Sequence, residues 1–87
     1  MKKIKLFILE SCPHCRAALK WMDELYVMDP AYKNLDIEII DEGKHPETAD
    51  KYDYYYVPAY YVDSEKLHEG AASLEKIQRV FDAALEA

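Results

Sequence analysis

Residues 3–15 read Lys3-Ile4-Lys5-Leu6-Phe7-Ile8-Leu9-Glu10-Ser11-Cys12-Pro13-His14-Cys15, and the fold turns on this stretch. Ile4, Leu6 and Ile8 alternate with Lys5 and Phe7, while Phe7 and Leu9 make the second face apolar as well. Lys3–Leu9 therefore reads as a short, largely buried strand. Glu10-Ser11-Cys12 breaks it, and Pro13 opens a helix, because a missing N–H costs nothing at the first helical position. Ala18, Leu19, Met22, Leu25 and Tyr26 then recur at helical spacing with Lys20, Asp23 and Glu24 between them, and Pro30 ends the run.

Further along, Leu35–Asp41 reads as a second strand, with Ile37 and Ile39 alternating against Asp36 and Glu38. Gly43 supplies a turn, and Pro46 starts a short helix through about Tyr52, with Glu47 well placed in its first turn. Ala59–Asp63 is a third strand, Asp63-Ser64-Glu65 a hairpin-length turn, and Lys66–Glu69 a returning fourth strand. Ser73 caps a last helix whose inner face is Leu74, Ile77, Val80, Phe81 and Leu85. The order β-α-β-α-β-β-α gives an α/β class, a four-stranded mixed sheet flanked by three helices. Helices after each of the first two strands imply right-handed crossovers and parallel pairing; the last two strands form a hairpin. With no repeat, low-complexity tract or linker, residues 1–87 are expected to form a single domain.

Seventeen acidic residues against eleven basic ones give a formal charge of −6, which argues against nucleic acid as the main partner and for a solvated surface; a monomer is expected. The apolar run after Met1-Lys2-Lys3 is broken by Lys5 and ends at Glu10, too short for a secretory core or a membrane span. The expectation is a cytoplasmic protein without membrane contact. In that compartment a C-x-x-C pair points to redox chemistry or metal binding before a structural bridge.

The position of Cys12-Pro13-His14-Cys15, where a strand hands over to a helix, carries the chemistry. A thiol must ionise to act as a nucleophile, and at the free pKa of about 8.5 only ~3% is thiolate at pH 7. Unpaired N–H groups and the positive end of the helix dipole favour the anion at a helix start. Cys12 is then the attacking sulfur and Cys15, three residues on along the same face, the resolving one. His14 stabilises the thiolate, Pro13 fixes the entry, and the pair is tilted toward a less reducing potential. Three other uses stay open on the sequence. The cysteines could be buried small hydrophobes, zinc ligands needing two further partners, or ligands of an iron–sulfur cluster bridging two chains.

Taken together, the strand, the C-x-x-C at a helix start, Val57-Pro58 ahead of a hairpin, Gly70 and the final amphipathic helix resemble the glutaredoxins and small thioredoxins over essentially the whole chain. The resemblance implies the thioredoxin fold and thiol–disulfide exchange with protein or small-thiol substrates, with electrons from a reductase or a small thiol and no bound organic cofactor. It also implies that Pro58 is cis and faces the cysteines, and that Val57 offers its backbone to an extended substrate. Glutathione is the reductant the resemblance suggests. The chain departs from that pattern, however: Glu10 is an acid beside the place of an anionic tripeptide, and Glu69-Gly70-Ala71-Ala72-Ser73 lacks the acidic clamp. The buried aspartate of thioredoxins is absent, its position falling near Leu6. Among the eight tyrosines, Tyr55 and Tyr56 are candidates to line an apolar groove beside Cys12 for a peptide substrate. His45 and His68 are expected in exposed positions without a catalytic role. A second class of function is a binding module on the same fold, holding a metal or cluster or docking a partner without redox turnover.

Overall fold

The computed structural model describes residues 1–86. Strand β1 spans Ile4–Ile8, helix α1 Pro13–Met28, β2 Ile37–Asp41, α2 Pro46–Ala49, β3 Ala59–Val62, β4 Glu65–Glu69 and α3 Leu74–Leu85. The sheet runs in the order β2-β1-β3-β4. β1 pairs parallel to β2, with Leu6 opposite Ile39, and antiparallel to β3, with Phe7 opposite Ala59. β3 and β4 form the expected hairpin, closed by the two-residue turn Asp63-Ser64. Asp63 takes a left-handed φ of 54°, which an Asp side chain tolerates better than most.

The second crossover departs from the sequence expectation, because β3 returns antiparallel to β1. A parallel return must carry the chain back along the full length of a strand. The connection over residues 42–58 instead leaves and re-enters the sheet at the same end, since Asp41 lies opposite Ile8 and Ala59 opposite Phe7. The helix expected to reach about Tyr52 stops at Ala49, its last carbonyls being taken by turn bonds to Lys51 and Tyr52.

A 3₁₀ turn over Pro30–Asn34 was not legible as an element, and it trims the second strand. Asp29 caps that turn by accepting the Ala31 N–H at 3.0 Å, and Tyr32 drops into the core. Ile39, expected to face inward, is half-exposed because β2 is an edge strand.

Two apolar layers hold the sheet. Ile4, Leu6, Met22, Leu25, Tyr60 and Phe81 belong to the larger one, between the sheet and helices α1 and α3. On the opposite face Phe7, Ile40, Ala59 and Tyr61 form a smaller cluster with Tyr52 and Tyr54 packed around it. Phe7 is ringed by Tyr52, Tyr54 and Tyr61 at centroid distances of 4.8, 5.0 and 5.9 Å, an arrangement that suits aromatic quadrupoles. Lys5, on this same face, keeps its charge by donating to the Tyr52 hydroxyl at 2.6 Å. Ser73 caps α3 through the Lys76 N–H. Both layers grip β1, the strand that leads into Cys12, and its neighbour β3.

Candidate active site

Cys12 is the N-cap residue of α1, extended at φ −82° and ψ 120°, with Pro13 in the first helical position. The turn into it is closed by the Cys12 N–H donating to the Leu9 carbonyl at 3.0 Å. Its own carbonyl accepts from Cys15 and Arg16, each at 3.1 Å, which starts the helix. At an N-cap the side chain faces the amides of the second and third helical residues. The neutral sulfur makes no formed capping bond, yet these groups act on its anion. Partial burial works against ionisation, but the Cys15 amide, the Cys15 thiol, the His14 amide and the Arg16 charge together pull the Cys12 pKa below its ordinary value. His14 thus acts through its backbone N–H, while its ring stands exposed. The cation whose charge acts on the sulfur is Arg16, its guanidinium tied to the Glu10 carbonyl at 3.3 Å.

Cys15 has the opposite character. Its side chain is 1% exposed and its thiol is pushed up to about 12. Burial is the main cause; the Leu9 amide opposes it, while the hydrogen bond and charge of Cys12 and the charge of Glu42 add to it. Both cysteines are free thiols. One accessible sulfur favours the anion and its neighbour a turn away is held protonated.

The Val57–Pro58 peptide bond is cis, as the resemblance implied. Pro58 is buried and precedes Ala59, which pairs with Phe7, so it lies at the same end of the sheet as the turn carrying Cys12. Residues 2–82 match the family model described as a thioredoxin domain. The chain belongs to the thioredoxin domain family. Fifteen chains among solved structures match this thioredoxin domain. One is a designed protein known from backbone chemical-shift assignments, with 19% identity, a TM-score of 0.64, and coverage of 98% of this chain and 73% of its own. At that identity the likeness speaks to the fold alone. No curated protein matches the sequence.

Within the thioredoxin domain the tyrosines divide by position. Tyr60 and Tyr61 are buried on opposite faces of β3, whereas Tyr55 and Tyr56 are 84% and 68% exposed. The expected groove shared with Cys12 is not what surrounds Tyr55: it borders a cavity of about 310 Å³ with Glu42, Asp50, Tyr52 and Tyr54. Apolar surface lies instead beside Cys15, where Ile8, Leu9, Leu19 and Ile39 line a groove of about 450 Å³.

His45 is exposed as expected, but His68 is half-buried. Its Nε2 lies 3.0 and 3.1 Å from the carbonyls of Gly70 and Ala71, which fixes the ring as a donor there. Among the described residues no three His, Cys, Asp or Glu side chains gather as a metal site, and no helix is long and apolar enough to cross a membrane. Reasoning from sequence missed Arg16 and Glu42. Arg16 carried a signal, lying one helical turn past Cys12; Glu42 carried none, since only the sheet brings it toward Cys15.

Proposed function

We propose that this thioredoxin domain is a thiol–disulfide oxidoreductase working through Cys12 and Cys15. The observation that carries the reading is the placement of two free thiols a turn apart, Cys12 part-exposed as the N-cap of α1 and Cys15 buried behind it at 1% exposure, with the pKa of the first lowered and that of the second raised by these surroundings. The Cys12 thiolate attacks one sulfur of a substrate disulfide, and the other sulfur leaves as a thiolate that takes a proton from water. A mixed disulfide now joins Cys12 to substrate. With its sulfur bonded, Cys12 no longer places an anion beside Cys15, so two of the causes that hold Cys15 protonated disappear. Cys15 gives up its proton to water, attacks the Cys12 sulfur and expels the second substrate sulfur as a thiolate, which takes a proton from water in turn. Two electrons have passed to the substrate, and a Cys12–Cys15 disulfide remains. Run backwards, the same steps oxidise a dithiol.

Val57 and Pro58 form the ledge beside the reacting sulfurs. Protein disulfides suit the site better than glutathione: Glu10 carries a negative charge next to Cys12, and Glu69 is committed to Lys66 and the backbone of the preceding loop. Electrons come from a reductase or a small thiol, and the domain acts as a cytoplasmic monomer with no bound organic cofactor. A redox titration of the purified protein tests the proposal. The expected result is a reversible two-electron couple, less negative than the roughly −270 mV of a thioredoxin, with turnover of a protein disulfide. Cysteines that do not cycle, or a protein isolated with stoichiometric zinc or a visible cluster absorbance, would replace this reading with the binding module.

A further inference from the structure

Glu69 closes β4, and its carboxylate reaches across to the loop that leads into Pro58. One oxygen accepts the N–H of Tyr55 at 2.8 Å and that of Tyr56 at 3.1 Å. The other accepts Lys66 Nζ at 2.5 Å. Lys66 also donates to the Asp53 carbonyl at 3.2 Å, and the Tyr61 hydroxyl donates to that carbonyl at 2.6 Å. At the far end of the loop the Gly70 N–H donates to the Pro58 carbonyl at 3.0 Å. Gly70 takes φ +88°, and a Cβ there would meet the Tyr56 Cβ at 3.6 Å. The backbone from Asp53 to Pro58 is thus held by side chains and one amide of the β3–β4 hairpin, with Glu69 as the hub.

The two side chains on this anchored backbone are among the most exposed aromatics of the molecule, Tyr55 at 84% and Tyr56 at 68%. Aromatic area held out on a pre-ordered backbone lowers the entropic cost of binding and is typical of contact residues. Next to the pair, the Val57 N–H and C=O take no backbone partner within the chain among the described residues. Exposed rings beside unpaired main-chain groups complement a polypeptide, which supplies both apolar side chains and a backbone to pair. A small disulfide supplies neither.

We propose that Glu69 is a positioning residue that holds Tyr55 and Tyr56 as a fixed contact pair for polypeptide substrates, so that exchange with protein disulfides depends on it and exchange with small disulfides does not. The proposal rests on the thiol–disulfide exchange reading and deepens it. Glu69→Ala removes both arms of the clamp. Glu69→Gln keeps an oxygen for the two amides while losing the charge that pairs Lys66.

The test measures turnover of insulin and of a small hydrophilic aliphatic disulfide by wild type and both variants, together with hydrogen exchange at the Tyr55 and Tyr56 amides. Glu69→Ala should raise KM for insulin roughly tenfold, the scale of a lost charge-assisted hydrogen bond, with kcat little changed. The small disulfide should be turned over within about twofold of wild type, and both amides should exchange faster. Glu69→Gln should recover most of the insulin KM and most of the amide protection. An equal loss on both substrates, or no loss on insulin, would overturn the proposal while leaving the exchange activity standing. Tyr55 and Tyr56 amides unprotected in the wild type would overturn it as well. Wild-type protein inert toward both disulfides would instead overturn the activity beneath it, and the substrate assignment with it.

Discussion

Cys12→Ser is expected to abolish disulfide exchange, whereas Cys15→Ser should leave the first step intact and accumulate mixed disulfides. The asymmetry follows from the different surroundings of the two sulfurs. Serine at position 12 still caps the helix, and caps it better than a thiol does, so the fold is retained while the ionisable nucleophile is gone. At position 15 the loss falls on the second step. Cys12 remains accessible and lowered in pKa, so it attacks, but no second thiol stands a turn away to release the substrate. Mass spectrometry after incubation with a disulfide-bonded peptide reads both outcomes. Turnover by either variant at wild-type rate would contradict the assigned roles, and adducts trapped on Cys12→Ser through Cys15 would reverse them.

The largest effect on stability is expected at Phe81, far from the chemistry. Its ring is fully buried on α3, stacked with Tyr26 at 5.9 Å and edge-on to Tyr32 at 5.3 Å. It therefore ties α3 to α1 and to the 3₁₀ turn in one contact. Phe81→Ala should cost about 3–5 kcal/mol, the usual scale for emptying a buried aromatic site. A domain of this size has roughly 5–15 kcal/mol in all, so the variant sits near the edge of unfolding and its midpoint temperature should fall by more than about 10 °C. Urea and thermal unfolding followed by circular dichroism measure this. A loss under about 1 kcal/mol would mean that the helix layer repacks freely, contrary to the closed aromatic cluster described here.

Glu69 illustrates how pH enters the architecture. Lys66 and the amides of Tyr55 and Tyr56 hold its carboxyl down to about 2. A lowered carboxyl contributes its stabilisation in full above its unfolded pKa and loses it as pH falls through the folded value. The loop before Pro58 therefore keeps its clamp at every pH where thiol chemistry is practical.

Much of this was legible because it rests on local rules. The strand from Ile4, the proline-opened helix and the Ser73 cap each follow from a few neighbouring residues, and the C-x-x-C at their junction fixed the reactive end. The errors arose where distant parts decide. Ile39 alternates like an inward residue, but an edge strand leaves its side half-open. Nothing local to Pro46–Tyr52 says that the helix must stop at Ala49 or that β3 must return antiparallel to β1. Tyr55 and Tyr56 were singled out from sequence for their closeness to Pro58. The backbone that carries them is bonded to Glu69, more than ten residues away in β4, a partner that no local pattern indicates. His14 was read from sequence as stabilising the Cys12 thiolate, and its backbone amide does lower that pKa; the contribution of Arg16 was not foreseen.

Everything here depends on Cys12 ionising more readily than an ordinary thiol at the start of α1 while burial keeps Cys15 protonated. Iodoacetamide labelling of the fully reduced protein across a pH series, with the labelled cysteine assigned by mass spectrometry, tests it most directly. A single thiol, Cys12, should react, with a rate midpoint below the roughly 8.5 of free cysteine. A midpoint at or above that value, or label on Cys15 at neutral pH, would contradict it.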